Sequence, residues 1–316
     1  MGILSSLGLW PGSRAPLDDA LRHVIDHAIE TVDPMLKTVV GHERVLAPAV
    51  SHALGYCEAL AAAIPCPVEV SSRAFSADPL VHALFATPGD IGDMLGKSRE
   101  LRAFLADPAQ RDNDEFFGLL GMRRGEKAVM GAVLNGDRVQ NEVLQHQLYF
   151  ADHTLGGIAF DCETTRERFQ STAFDGLVLG FADSVAELRR QRQEASTAWR
   201  MEQAAGGDNA GRLRELEERQ RQATAALVPK QLLAAFAEWL AAPEGRLYLK
   251  PTEVTVDRMG VMASPATADD KFRTLNLPEL VCRDRRHWIV VVARISREEA
   301  LEAVRRQQEG NRYLMI

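Results

Sequence analysis

The stretch FDGLVLGFADSVAELRRQRQEASTAW, residues 174–199, contains a row of side chains spaced alternately four and three residues apart. This is the heptad period of helices that pack along a shared seam. The row consists of Phe174, Val178, Phe181, Val185, Leu188, Arg192, Ala195 and Trp199. We therefore predict one long amphipathic helix over this stretch.

A second row with the same period follows a glycine-rich segment at residues 205–209. It consists of Leu213, Leu216, Gln220, Ala223 and Leu227. Two heptad rows joined by a short turn predict an antiparallel coiled-coil hairpin, which we place at residues 162–242. We favour a hairpin that projects as an arm, and the alternative is that both helices lie on the body and form ordinary core.

Five residues of this hairpin are candidates for contact with a partner protein. Arg192 and Gln220 occupy seam positions, where a polar side chain fixes register or pairing at a cost in stability. Trp199 lies near the turn, and Gly206 and Gly207 form its tip. The arginines at 189–192 and 212–221 alternate with glutamates, which is typical of a solvated, salt-bridged surface rather than a nucleic-acid site.

The composition limits the classes of function. The chain has 316 residues, 46% of them hydrophobic, and a formal net charge of −7. This charge argues against broad binding to nucleic acid or to an anionic membrane. The cysteines are isolated, with no CxxC pair, and are Cys57, Cys66, Cys162 and Cys282. This usage favours reduced thiols and a cytoplasmic location. No phosphate-loop or dinucleotide fingerprint occurs, so no cofactor is predicted.

The first residues form a separate, apolar segment. Residues 1–12 are predicted to be a loose tail whose Trp10 packs on the body. Gly2 and Ser6 also fit a short N-myristoylation pattern, which leaves open a peripheral membrane adaptor. No apolar run reaches the roughly 20 residues of a membrane-spanning helix.

The rest of the chain predicts an α+β fold. Residues 13–110 read as a helical domain. Residues 114–161 read as a three-stranded meander with turns at 124–126 and 135–137, because glycine and Asn-Gly are typical of turns. Residues 245–316 read as further strands and a final helix. We expect both strand groups to form one antiparallel sheet, with the helical hairpin inserted between them.

Two other patterns offer chemistry. His23 and His27 lie one helical turn apart, a spacing that can chelate a metal ion with a third ligand such as His52 or Glu58. Plain solvent exposure of this face is the alternative. Asp152 and His153 follow a predicted strand and can form an acid–base unit or serve as turn residues.

A cluster of basic residues, Arg123, Arg124 and Lys127, is predicted at a hairpin end as a contact for an anion. Taken together, the sequence predicts a non-enzymatic interaction or scaffold protein that binds a protein partner or forms a homo-oligomer through the helical hairpin. The alternatives are a metal-binding protein or enzyme that uses the His23/His27 face or the Asp152–His153 region, and the membrane adaptor.

Overall fold

The computed structural model describes residues 18–65, 67–135, 138–206, 209–263, 272–282 and 287–313. The predictions for the tail at 1–12, for Cys66, for the turn residues Gly136 and Asp137, and for Gly207 lie outside the described residues. Within them the fold is α+β, as predicted, with an antiparallel sheet formed by two chain segments and a long helical region between them.

The elements follow one another in this order along the chain. The α-helices are α1 (Asp19–Val32), α2 (His42–Ala63), α3 (Ser72–Ala77), α4 (Pro79–Leu84), α5 (Pro88–Lys97), α6 (Arg99–Ala106), α7 (Cys162–Ala205), α8 (Ala210–Ala226), α9 (Pro229–Ala241) and α10 (Arg297–Tyr313). The strands are β1 (Val68–Glu69), β2 (Glu115–Asn135), β3 (Arg138–Ala159), β4 (Leu247–Val256), β5 (Arg273–Cys282) and β6 (His287–Ser296). Short 3₁₀ helices lie at Pro34–Thr38, Pro108–Gln110 and Pro243–Gly245.

Side-chain caps explain where the short helices begin. The hydroxyl of Ser71 and the carboxylate of Asp78 accept hydrogen bonds from backbone N–H groups in the first turns of α3 and α4. Thr87 and Asp90 form a reciprocal capping box at α5, and the Ser98 hydroxyl caps α6. Each cap satisfies N–H groups that have no partner inside the helix.

The strands form one sheet in the order β3-β2-β6-β5-β4, and β1 pairs in parallel with β6. All other pairings are antiparallel. The strand β6 lies in the interior of the sheet, and its residues 289–293 are buried. This matches the continuous apolar run expected of a central strand covered on both faces.

The predicted three-stranded meander is wrong, because β2 runs unbroken through the expected turn at 124–126. Arg124, Gly125 and Glu126 pair with Phe150, Tyr149 and Leu148 of β3. A Cβ atom built on Gly125 would lie 2.3 Å from Cζ of Tyr149. The glycine therefore makes room for an aromatic ring on the neighbouring strand instead of forming a turn.

A short segment after β4 joins the two outer strands of the sheet. Val261 bridges to Gln147 of β3, and Met262 bridges to Val256 of β4. The N–H of Leu148 donates to the carbonyl of Gly260 at 2.8 Å. The outermost strands of the sheet, β3 and β4, are therefore linked here through this segment, although they do not pair with each other directly.

The chain divides into two compact units. One consists of Met1–Ala53 with Val178–Ala241, and the other of Leu54–Leu177 with Ala242–Ile316. The first, here called the helical unit, contains α1, α8, α9 and parts of α2 and α7. The second, the sheet unit, contains the whole sheet, α3–α6, α10 and the remainder of α2 and α7.

In the helical unit, the first part of the predicted seam packs against helices other than α8. The ring of Phe181 lies 4.9 Å from that of Phe236 and 5.5 Å from that of Trp239, both on α9. Arg189 forms an ion pair of 2.5 Å with Asp33. The heptad row of α7 therefore serves as bundle core up to about the level of Arg189, and only its later part is left for α8.

In the sheet unit, one face of the sheet packs against α3–α6 and α10 in a single core cluster. The closest helix approach is between α5 and α10. A Cβ atom on Gly96 would lie 2.8 Å from the carbonyl oxygen of Ala303 and 2.9 Å from Cβ of Gln307. A glycine at this position allows the two backbones to come together.

Candidate functional site

The helical hairpin is defined here as α7 from Leu188 to its end together with α8. Its fully buried side chains are those of Ala195, Leu216 and Ala223. Four apolar members of the predicted rows are only partly buried: Leu188, Trp199, Leu213 and Leu227. Few side chains of these two helices are buried, and the four partly exposed apolar side chains are called here the apolar margin of the hairpin.

The predicted contact residues occupy different environments. Trp199 joins the two helices, since its indole N–H donates to the carboxylate of Glu217 at 3.1 Å. Gln220 is partly buried, whereas Arg192 is exposed, so the row of α7 does not continue as buried seam through that position. Gly206 has a φ of +63°, a left-handed conformation typical of the residue that follows a helix C-terminus.

The exposed surface of the hairpin carries ion pairs within each helix. Arg190 pairs with Glu187 at 2.6 Å and with Glu194 at 2.5 Å, and Arg219 pairs with Glu215 at 2.6 Å. The hydrogen bond from Arg190 is the main reason that the pKa of the Glu187 carboxyl lies below its ordinary value. Pairs at these spacings favour helices with solvent on most sides.

The two histidines of the predicted metal site are exposed on α1. His52 and Glu58, the expected third ligands, are exposed on α2. Across the described ranges, no group of three or more histidine, cysteine, aspartate or glutamate side chains is arranged to hold a metal ion. The structure therefore does not assemble a metal centre around His23 and His27 from these residues.

Asp152 and His153 do not act on one another. Asp152 has a φ of +55° at an irregular point of β3, and its carboxylate pairs with the guanidinium of Arg123. His153 contacts the carbonyl of Leu84 through Nε2 at 2.7 Å and stacks on the ring of Phe85. Both residues lie within β3 rather than after it, so the prediction that they follow a strand is wrong, and each side chain has a structural partner outside the pair.

Two of the three basic residues predicted to contact an anion lie beside carboxylates. Arg123 is paired with Asp152, and Arg124 lies 3.9 Å from Glu126. Lys127 remains without an ion pair in the described ranges, and its ammonium lies 5.9 Å from the ring centroid of Tyr149. Of the three, Lys127 alone lines a pocket of the sheet unit that is described next.

This pocket, called here the sheet pocket, has a volume of about 720 Å³. It lies between α3–α4 on one side and, on the other, the middle of β2 and β3, the end of β4 with the turn that follows it, and the start of β5. Besides Lys127, it is lined by Arg258 and Arg273, which sequence reasoning did not single out. Lys127 is more than 100 residues away from the other two in the sequence. It pairs with Gln147 of β3, which bridges to Val261, and Arg273 pairs with Val256 at the end of β4.

The side chain of His82 contacts the turn that contains Arg258. Its Nε2 lies 3.1 Å from the carbonyl of Arg258, and its Nδ1 lies 3.2 Å from the carbonyl of Phe75. The carboxylate of Asp257 accepts hydrogen bonds from the N–H groups of Met259 and Val261, both at 2.8 Å. An aspartate followed by a glycine three residues later is a local turn signal that sequence reasoning could have used here.

A further buried carboxylate lies within the sheet. Glu279 of β5 is only 4% exposed. Thr252 donates to its Oε2 at 3.0 Å, and Nδ1 of His287 lies 3.2 Å from its Oε1. Both oxygens of this buried group therefore have partners, as a buried polar group requires.

The helix α2 is long and apolar enough to cross a bilayer by length and composition, contrary to the sequence-based expectation that no segment would be. Its apolar residues include the buried stripe Leu46, Ala49, Val50, Ala53, Cys57 and Leu60. The core helix of a soluble protein passes the same criterion, so this feature alone assigns no membrane role.

No protein-family model matches the chain, and comparisons with curated proteins and with solved structures gave no match. No relative therefore supplies a function by analogy.

Proposed function

We propose that this protein is a non-enzymatic interaction or assembly subunit that binds a partner protein, or a second copy of itself, through the helical hairpin. The observation that carries this proposal is the open apolar margin along the seam. Leu188, Trp199, Leu213 and Leu227 stay partly exposed although they belong to the heptad rows. A further helix laid along this margin would cover them.

A further helix can bind along the apolar margin because two helices bury the side chains of a heptad row from one side only. Knobs-into-holes packing allows a third or fourth helix to add to the same rows, with affinity that comes from the apolar positions. Trp199 is the strongest candidate for an anchor, because a large aromatic side chain contributes most when it becomes desolvated at an interface. Its hydrogen bond to Glu217 already fixes its orientation.

The charged faces of the hairpin suit the same role. Arg190 and Arg219 are paired with glutamates of their own helices, so they keep the free hairpin soluble without closing the apolar margin. Gln220 lies partly buried in the row and would select the register of an added helix. We place this association in the cytoplasm, with support from the buried, free thiol of Cys57.

The experiment has two arms, both with the full chain. In the first, light scattering after size exclusion measures the molar mass over a range of concentrations. A dimer or larger assembly that dissociates in Trp199→Ala supports self-association. Met201→Ala is the matched control, because Met201 is 69% exposed on the same helix and lies outside the heptad row, and it should leave the mass unchanged.

If the chain is monomeric, a photo-cross-linking amino acid is placed in the native host at position 213 or at position 225. Leu213 lies on the apolar margin, and Ala225 is exposed on the far side of α8. We expect a discrete protein adduct from position 213 that disappears in Trp199→Ala. A monomer that gives equal adducts from both positions, or none, would overturn the proposal.

A further inference from the structure

We propose that the sheet pocket binds an amphipathic organic anion, that is, an apolar body that carries one carboxylate or phosphate group. This site belongs to the sheet unit and is independent of the interaction proposed for the helical hairpin. Of its lining residues, only Lys127 belongs to a site predicted from the sequence, the anion contact with Arg123 and Arg124.

The floor of the pocket is apolar. It is formed by the buried side chains of Phe85, Leu148, Val256 and Leu275, all of which belong to the core cluster of the sheet unit. A ligand that enters this space removes its own apolar surface from water by packing on this floor. A pocket of about 720 Å³ is within the usual size range of small-molecule sites and accommodates a chain or ring system of a dozen or more carbons.

The rim of the pocket is basic. Lys127, Arg258 and Arg273 line it, all three are exposed, and none forms an ion pair within the described part of the chain. This arrangement contrasts with the net charge of −7 for the whole protein and with the paired arginines of the hairpin. Guanidinium groups bind carboxylate and phosphate with two parallel hydrogen bonds, so the rim suits an anionic headgroup.

Two acidic residues also line the pocket, but the three cations outnumber them, and backbone N–H groups hold both carboxylates in place. The carboxylate of Asp78 accepts the N–H of Leu80 at 2.8 Å as the cap of α4. That of Asp257 accepts two backbone N–H groups of its own turn. Both therefore serve the local fold, and the basic side chains are left to face a ligand.

The turn that carries Arg258 is held in place on two sides, which reduces the cost of binding. His82 contacts the carbonyl of Arg258, and Gln147 donates to the carbonyl of Met259 at 2.6 Å. Gly260 adopts a φ of +76°, and a Cβ atom there would lie 2.9 Å from the carbonyl oxygen of Leu148. A pre-organised rim loses little conformational entropy when the ligand arrives.

Isothermal titration calorimetry tests the proposal with four probes, each kept below its micelle concentration or its solubility limit. Dodecanoate and dodecyl phosphate carry the two candidate headgroups, dodecanol lacks the charge, and dodecyltrimethylammonium reverses it. We expect saturable binding with a stoichiometry of one for at least one anion and none for the cation. The stronger anion identifies the headgroup, and added salt should weaken its binding. Equal binding of dodecanol and both anions by the native chain would overturn the proposal without any variant.

Two variants locate the site. Arg258→Gln should weaken binding of the better anion by about tenfold, the effect of losing one charge-assisted contact. Arg305→Gln is the matched control, because Arg305 is exposed on α10 and does not line the pocket. An equal affinity of both variants, in protein with unchanged circular dichroism and melting temperature, would show that the anion binds elsewhere.

Discussion

Replacement of Leu216 by alanine should loosen the hairpin selectively. Leu216 is 4% exposed, and the only other fully buried residue of α8 is Ala223. The substitution removes three carbon atoms, at about 0.8 kcal/mol for each buried methylene group, so about 2.4 kcal/mol is lost. This is near the lower limit for leucine-to-alanine changes in cores, as expected for a seam that borders solvent and closes easily around the gap.

Native-state hydrogen exchange provides the assay. If α8 opens as a local unit, its amides should exchange about 50-fold faster in Leu216→Ala, since about 1.4 kcal/mol corresponds to a factor of ten. The amides of β6 in the sheet unit should keep their native rates. Leu213→Ala is the control, and its smaller effect follows from the partial exposure of Leu213. Unchanged protection of α8 would refute the seam, and equal acceleration in β6 would show that the hairpin is part of one cooperative core.

Two further predictions concern the sheet unit and the thiol of α2. Gly96→Ala should lower the free energy of unfolding by about 1 kcal/mol, because the clash with the backbone of Ala303 outweighs the gain in helix propensity. Gly92→Ala is the control in the same helix, because its Cβ has open space, and it should raise the free energy of unfolding by about 1 kcal/mol. Urea titrations that gave both changes the same sign would contradict the close approach of α5 and α10. Burial raises the pKa of the Cys57 thiol to about 12. The stability that depends on the protonated thiol is therefore complete below pH 9 and is lost as the pH rises toward 12. In the same urea titrations, the free energy of unfolding of the native chain should fall by about 2 kcal/mol relative to Cys57→Ala by pH 10.5, and an equal pH dependence of the two proteins would refute the raised pKa.

The sequence predicted the elements whose signals are local. The heptad rows predicted α7 and α8, and the alternating segments predicted one antiparallel sheet from two parts of the chain. Gly125 was misread as a turn, because a glycine in a strand-like run has two meanings. It marks either a turn or a place where a neighbouring side chain comes close, and the neighbour here, Tyr149, is known only once the strands are paired.

The candidate sites show the same limit. Lys127 was recognised as a basic residue near a hairpin, but Arg258 and Arg273 reach the same rim because Arg273 pairs with β4 and Val261, after β4, bridges to β3. That pairing depends on a register between segments more than 100 residues apart, which no local pattern records. Likewise, the heptad row gave no sign that Phe181 would pack on α9 and leave only the later turns of α7 to α8.

The hairpin and the sheet pocket can be tested independently because they are built from different chain segments in different units. Trp199→Ala removes the proposed anchor and touches no residue of the pocket, and Arg258→Gln does the converse. If the sites are uncoupled, the first variant keeps the affinity for the better anion and the second keeps the oligomeric state or the adduct from position 213. Alternatively, the anion changes the association constant, and loss of the association in Trp199→Ala changes the affinity for the anion by the same factor. The two sites are then linked, because a coupling free energy between two binding events must be reciprocal. The pocket would then be the effector site of the interaction, and the sheet unit would have a regulatory role that neither site has alone.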